Sequence, residues 1–257
     1  MPRYALTLEY EGTAYAGYQV QPGQPTVQAE LQRAFQAITG KSADIRVSGR
    51  TDAGVHAEGQ VIAVTLDRGW HPAKLRDALN ANLPRDVAIV DGRLVPPEFD
   101  PRRWAWGKHY RYRWLVRPSR SPTRDAFVWH RRSPLDVSGM RLAAERLVGR
   151  HDFSSFRASG CVAASPMRMV KGLDLREQGD ELHLHAHGQG FLRHMVRIIA
   201  GTLYEVGVGR HEPGWIDEVL EARRRDTAGR TAPARGLCLV AVDYRDGPPP
   251  WIESSTA

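Results

Sequence analysis

Residues 48–57, Ser48-Gly49-Arg50-Thr51-Asp52-Ala53-Gly54-Val55-His56-Ala57, suit neither helix nor strand, yet they lie between two strand-like stretches. Before them Asp44-Ile45-Arg46-Val47 alternates, and after them Gly59-Gln60-Val61-Ile62-Ala63-Val64-Thr65-Leu66 runs apolar. The decapeptide is therefore predicted to be a strand-to-strand loop, bent through the backbone freedom of Gly49 and Gly54. A loop held by two strands can aim one side chain, and Asp52 is its only carboxylate. Two roles stay open for Asp52: capping its own turn through the backbone, or chemistry.

The rest of the first half fits around this loop. Tyr4 to Tyr10 alternates as a strand, and residues 26–38 place Val27, Leu31, Ala34, Phe35 and Ile38 at helical spacing before Gly40. A second helix is predicted over 72–82, with Pro72 in its first turn and Pro84 beyond it, followed by a strand over 87–90. The order β-α-β-β-α-β is the split pattern of ferredoxin-like units. The second half is predicted to repeat it, with strands over 108–116, 170–176, 181–188 and 237–244, a turn at Gly179-Asp180, and helices over 137–147, 191–206 and 215–222. The expected fold is α+β: two halves of βαββαβ order with mixed or antiparallel sheets, meeting at a central cleft that suits a ligand. The expected domains are residues 1–103 and 104–246, with residues 247–257, beginning Gly247-Pro248-Pro249-Pro250, as a disordered tail.

Charge narrows the partners. The 257 residues carry a formal charge of +7, and Lys41, Lys74, Lys108 and Lys171 are the only lysines. Arginine forks onto phosphates and stacks on bases, which favours nucleic acid. Genome composition produces the same skew, and both explanations stay open here. Cys161 and Cys238 belong to no metal-binding grid, which suits a reducing cytoplasm. The chain opens into a strand rather than a leader, and no apolar run is long enough to span a bilayer.

Four further stretches are candidates for chemistry. A strand over 104–114 puts Trp106, Lys108, Tyr110, Tyr112 and Trp114 on one face and His109, Arg111 and Arg113 on the other. Such a face serves single-stranded nucleic acid, or it is sheet core with arginines on a solvated back; Tyr110, near the strand start, is the residue expected to reach a cleft. In the helix over 191–206, Leu192, Met195, Val196, Ile199 and Leu203 form the apolar stripe, while Arg193 and Arg197 share another face with Gly201. Meeting Asp52, Arg197 would keep that carboxylate ionised; otherwise it faces solvent. His183, His185 and His187 share a strand face, but with no acidic or cysteine partner at ligand spacing a metal site is not expected. Arg223-Arg224-Arg225, Arg230 and Arg235 form a basic cluster that touches phosphate or merely lines a solvated loop.

Several of these segments together resemble the tRNA pseudouridine synthase A family. The resemblance runs from about Tyr4 to Tyr244 through Gly49 to Ala57, Lys108-His109-Tyr110-Arg111-Tyr112, Phe191-Leu192-Arg193-His194-Met195-Val196-Arg197, His151-Asp152-Phe153 with Phe156, and Ala232-Pro233 with Gly236-Leu237. One departure is Tyr18, where family members commonly carry tryptophan. The resemblance implies the pseudouridine synthase fold and isomerisation of uridine to pseudouridine at tRNA positions 38, 39 and 40. The partner would be the anticodon stem-loop, the state a cytoplasmic homodimer, and neither cofactor nor metal is implied. Asp52 would be the catalytic aspartate, Arg197 its partner and Tyr110 the platform for the base. Arg50 would fill the gap left by the extruded nucleotide. A non-catalytic RNA-binding or RNA-folding protein would share the charge and aromatics, and the Asp52 loop discriminates between the two.

Overall fold

The structure is a computed structural model and describes residues 1–244; the expected tail at 247–257 lies outside them. The chain forms two compact units, residues 1–106 with 239–244, and residues 107–238.

The first unit follows the predicted order: β1 (Arg3–Tyr10), α1 (Val27–Thr39), β2 (Ile45–Val47), β3 (His56–Thr65), α2 (Pro72–Asn80) and β4 (Val87–Val95). Helix α1 starts where the Thr26 side chain accepts from the Ala29 N–H, and it ends at Gly40, whose φ of 73° provides a left-handed cap. Both helices bury the residues of their apolar stripes, Val27, Leu31, Ala34 and Phe35 in α1 and Leu75 and Leu79 in α2. In the sheet, β1 lies antiparallel between β3 and β4, and β2 pairs antiparallel with the end of β3. The resulting order is that of a ferredoxin-like sheet. The first unit also takes in most of the last strand, β10 (Leu237–Tyr244), beside β3. There Gly59 is indispensable, because an added Cβ would lie 2.3 Å from the Val240 carbonyl oxygen. At its far end the Tyr244 hydroxyl donates to the Pro101 carbonyl at 3.0 Å, and its ring packs on Phe99.

In the second unit β5 (Ala105–Val116), α3 (Val137–Glu145), β8 (Met167–Gln178), β9 (Glu181–Gly188) and α5 (Trp215–Ala222) fall on predicted segments. Two strands were not foreseen: β6 (Trp129–Arg131), parallel to the end of β5, and β7 (Gly149–Asp152), antiparallel to β8. They are three and four residues long and lack an apolar alternation. The sheet runs β5-β9-β8-β7, antiparallel except for β6, so the α+β class and mixed pairing hold, and the predicted strands and helices keep their order with the short β6 and β7 added. The start of the long helix is also corrected, since α4 is Met195–Gly207 rather than beginning at 191. His194 adopts φ 60°, ψ 4°, a left-handed conformation that breaks the helical path and leaves Arg193 outside it.

Candidate functional site

The loop carrying Asp52 is fixed through its backbone from several sides. Gln60, fully buried on β3, accepts from the Ser48 hydroxyl at 2.7 Å and donates to the Gly49 carbonyl at 2.7 Å. The Thr51 hydroxyl bonds the Tyr10 hydroxyl at 2.8 Å in a buried contact, and the Thr51 carbonyl accepts from the Tyr18 N–H at 3.1 Å. The Asp52 carbonyl accepts from the Val55 N–H at 3.1 Å, closing a turn at Gly54, whose φ is 74°. Of the two glycines expected to bend the loop, Gly54 supplies the left-handed residue and Gly49 supplies a carbonyl. His56 accepts from the Gly12 N–H through Nδ1 at 3.0 Å, which places the proton of its neutral ring on Nε2. Within this frame Asp52 is half-buried and Arg50 exposed.

Sequence reasoning missed the segment that holds this loop from behind. Residues 11–18 run against 51–55 at backbone contact, so that a Cβ on Gly12 would lie 2.0 Å from the Val55 carbonyl oxygen. Gly17, at φ 106°, would bring a Cβ to 2.9 Å from the Thr51 carbonyl oxygen. Two glycines five apart just after a strand were the available signal. Tyr18 is 1% exposed with no hydrogen-bond partner for its hydroxyl among the described residues, so it belongs to the core of the first unit. Burial pushes its phenol well above the usual range.

Tyr110 and Arg197 both belong to the second unit. On β5 the alternation resolves as core for Tyr112 and Trp114, both fully buried, while Tyr110 is half-buried with its ring edge-on to Phe191 at 5.3 Å. The opposite face is not a solvated back. His109 stacks on His187 at 3.9 Å, and Arg113 donates to Glu181 at 2.8 and 3.1 Å. The three-histidine face does have an acidic neighbour, contrary to expectation, since His183 Nε2 lies 2.8 Å from Glu181 Oε2. Two positions apart on one strand, the pair shares a face, and that period-two relation was legible.

Arg197 is half-buried on α4 and gripped by the segment that follows α5. Its Nε donates to the Ala232 carbonyl at 2.8 Å, and its own carbonyl accepts from the Ala232 N–H at 3.0 Å. The close crossing depends on Gly201, where a Cβ would lie 1.7 Å from the Arg230 carbonyl oxygen. Thr202 adds to it by accepting from the Gly229 N–H at 3.0 Å. The expected shared helix face of Arg193, Arg197 and Gly201 is therefore corrected: Arg193 precedes the helix, is exposed, and donates to the Ser159 carbonyl. In the basic cluster Arg224, Arg230 and Arg235 are paired with Asp226, Glu205 and Asp125.

The sequence profile of the tRNA pseudouridine synthase family matches residues 7–100 and 143–245. This chain belongs to that family. Among relatives, tRNA pseudouridine synthase A of Myxococcus xanthus is 49% identical over 97% of this chain and 94% of its own length. The proteins of that name from Methylobacterium nodulans and Allorhizobium ampelinum are 44% and 45% identical, with at least 95% of either chain covered. A chain in a Cbf5-Nop10-Gar1 complex aligns with TM-score 0.34 and 11% identity over 78% of this chain and 54% of its own, too weak an overlap to bear on the site. As a tRNA pseudouridine synthase family member the chain has Asp52 inside the first matched segment and Arg197 inside the second, whereas Tyr110 falls between them.

Proposed function

We propose that this protein isomerises uridine to pseudouridine in tRNA, at positions 38, 39 and 40 of the anticodon arm, with Asp52 acting at the ribose. The observation that carries the reading is a half-buried carboxylate on a loop whose backbone is fixed by Gln60, Tyr18 and Val55, within a segment matched by the family. The reaction breaks the bond from uracil N1 to the anomeric carbon, turns the base, and forms a bond from C5 to the same carbon. One proton leaves C5 and one arrives at N1, so atoms and electrons balance without an external reagent. A fixed carboxylate suits attack on the anomeric carbon or removal of the neighbouring ribose proton. In this reading residues 1–103 supply Asp52 and Arg50, and residues 104–246 supply Arg197 and Tyr110. Arg197 keeps Asp52 ionised, Tyr110 holds the freed ring, and Arg50, exposed beside Asp52, fills the stack when the nucleotide is extruded.

The proposal includes a cytoplasmic setting and a homodimer. Two free cysteines accord with the first, and no helix among the described residues is long and apolar enough to cross a membrane. For the second, Val148, Met167 and Met169 are all at least 36% exposed near β7, the outer strand of its sheet, and light scattering would measure the mass. The deciding test is pseudouridine mapping by mass spectrometry in an unmodified tRNA transcript incubated with wild-type protein and with Asp52→Asn. Wild type is expected to convert uridine within positions 38–40, and Asp52→Asn to bind tRNA without turnover. Turnover retained by the variant would refute the role of Asp52, and tRNA binding without conversion by wild type would favour the non-catalytic RNA-binding reading.

A further inference from the structure

The second unit contains a cavity of about 600 Å³ lined by Arg157, Arg193 and Arg225, with Cys161, His194 and Thr231 between them. The three guanidinium groups come from separate segments, yet among the described residues none of them is paired with a carboxylate. Arg157 donates to the carbonyls of Cys161 and Ala163, Arg193 to that of Ser159, and Arg225 to the Ala228 carbonyl and the Thr231 hydroxyl. Among the described residues no carboxylate lines the cavity. The contrast within the same unit is sharp, because Arg113, Arg117, Arg124, Arg210 and Arg230 all reach an acid. A second cavity of about 750 Å³ has Glu205, Glu218 and Asp226 beside Arg230.

We infer that this arginine-lined cavity holds a backbone phosphate of the bound RNA. The inference rests on the proposed tRNA substrate and names a contact made by the second unit. Guanidinium forks match phosphate oxygens two N–H groups at a time, and carbonyl anchors fix their direction before the anion arrives. Gly160, at φ 70°, leaves the space that lets Arg193 lie on the 157–163 loop, since a Cβ there would sit 3.1 Å from its Nη1. His194 is the N-cap of the thirteen-residue α4 and offers no side-chain cap, so the positive end of the helix also borders the cavity. The environment already favours negative charge. Burial pushes the Cys161 thiol up, but hydrogen bonds from the Arg193 and Ala163 N–H groups and from Arg157 outweigh it and bring the thiol below its ordinary value. Burial lowers the Arg225 pKa, as expected of a desolvated cation with no counter-charge, and an incoming phosphate would supply one.

The test measures affinity of the full chain for an unmodified tRNA transcript over a range of KCl concentrations, for wild type, Arg193→Gln and Arg225→Gln. Arg193 is exposed and makes one side-chain hydrogen bond, so its replacement leaves the fold intact. Each variant is expected to weaken binding to tRNAs of different sequence alike and to reduce the slope of log K against log salt by about one. Unchanged slopes in both folded variants would overturn the inference. Thermal stabilisation of wild type by inorganic phosphate, lost in Arg193→Gln while the RNA slope stays unchanged, would assign the cavity to free phosphate and overturn it as well. Wild type that forms pseudouridine while the variant slopes are unchanged loses only this subsite. Wild type that binds tRNA without converting it loses the isomerase reading and leaves the slope test intact, and failure to bind tRNA at all would overturn both.

Discussion

The substitution Gly12→Ala tests whether the Asp52 loop is positioned by backbone contact from behind. Gly12 does not have the positive φ that disfavours alanine, so the effect of an alanine there is chiefly steric. Its Cβ would lie 2.0 Å from the Val55 carbonyl oxygen and 2.6 Å from the carbonyl carbon, whereas ordinary contact begins at 3.4 Å. The two segments must part by roughly 1.4 Å, and overpacking against backbone of this kind costs about 1–3 kcal/mol. For a chain of this length that is a fall in Tm of about 2–12 °C. The Val55 N–H is bonded to the Asp52 carbonyl at 3.1 Å, so the displacement is transmitted to Asp52. A misplacement near 1 Å at a reacting group costs about 100-fold in rate. Single-turnover pseudouridine formation, measured well below both melting temperatures, should fall by that order while tRNA affinity changes little. Gly69→Ala is the control, because nothing lies within 4 Å of its Cβ position, and it should stay within about 0.5 kcal/mol of wild type. Wild-type melting and turnover in Gly12→Ala would refute the claim that residues 11–18 set the position of Asp52.

Tyr18→Phe is expected to raise Tm by about 2–4 °C, because it removes a buried hydroxyl with no hydrogen bond and leaves the ring in place, a gain of about 1 kcal/mol. A lower Tm in calorimetry would contradict the assignment of that hydroxyl as unsatisfied. Acid should destabilise the second unit in two stages set by Glu181 and His183. Burial lowers the His183 pKa against the opposing pull of Glu181, so the stability tied to its neutral ring is present above pH 6.5 and is lost as pH falls below it. Burial raises the Glu181 pKa, but hydrogen bonds from Arg113, His183 and Arg124 outweigh it and bring the value to about 2. That contribution, on the order of 3 kcal/mol, is complete above pH 4.5 and is lost as pH falls from there toward 2. Urea midpoints measured from pH 7 to 2.5 should show both declines, and Glu181→Gln should flatten the lower one; an unchanged lower limb in the variant would refute it.

Elements with a long apolar period were legible from sequence, and those made by neighbours were not. Helix α1 could be read end to end because Thr26 and Gly40 cap a stripe whose buried members are its sequence-apolar ones. The β8–β9 hairpin was equally plain, turning at Gly179 with φ 63°. Strands β6 and β7 carry no such period, and pairing to β5 and β8 alone makes them strands. The Asp52 loop was recognisable because its residues are contiguous, whereas its support was hidden. Gly12, Gly17 and Gln60 act on it through backbone approach and buried amide bonds, which leave no pattern in a linear sequence.

The same distinction explains Arg193 and Arg197. Four residues apart in an apolar-periodic run, they are predicted to share one helix face. The left-handed turn at His194 cancels that inference, since a helix that begins at Met195 retains Arg197 and releases Arg193. A non-glycine residue in this conformation costs about 1–2 kcal/mol, which the surrounding contacts must offset. Met195 and Ile198 provide some of them, donating to the Leu192 and His194 carbonyls. The Ala158 N–H, bonded to the Arg193 carbonyl, ties the other loop to the same turn. The consequence is a division of labour within five residues. Arg197 is clasped by Ala232 across Gly201, while Arg193 lies along residues 158–160 with its charge directed into the anion-favouring cavity. Two cations that the periodicity places on one face are thereby held by different loops, so that a substitution at one should alter catalysis and at the other RNA affinity and its salt dependence.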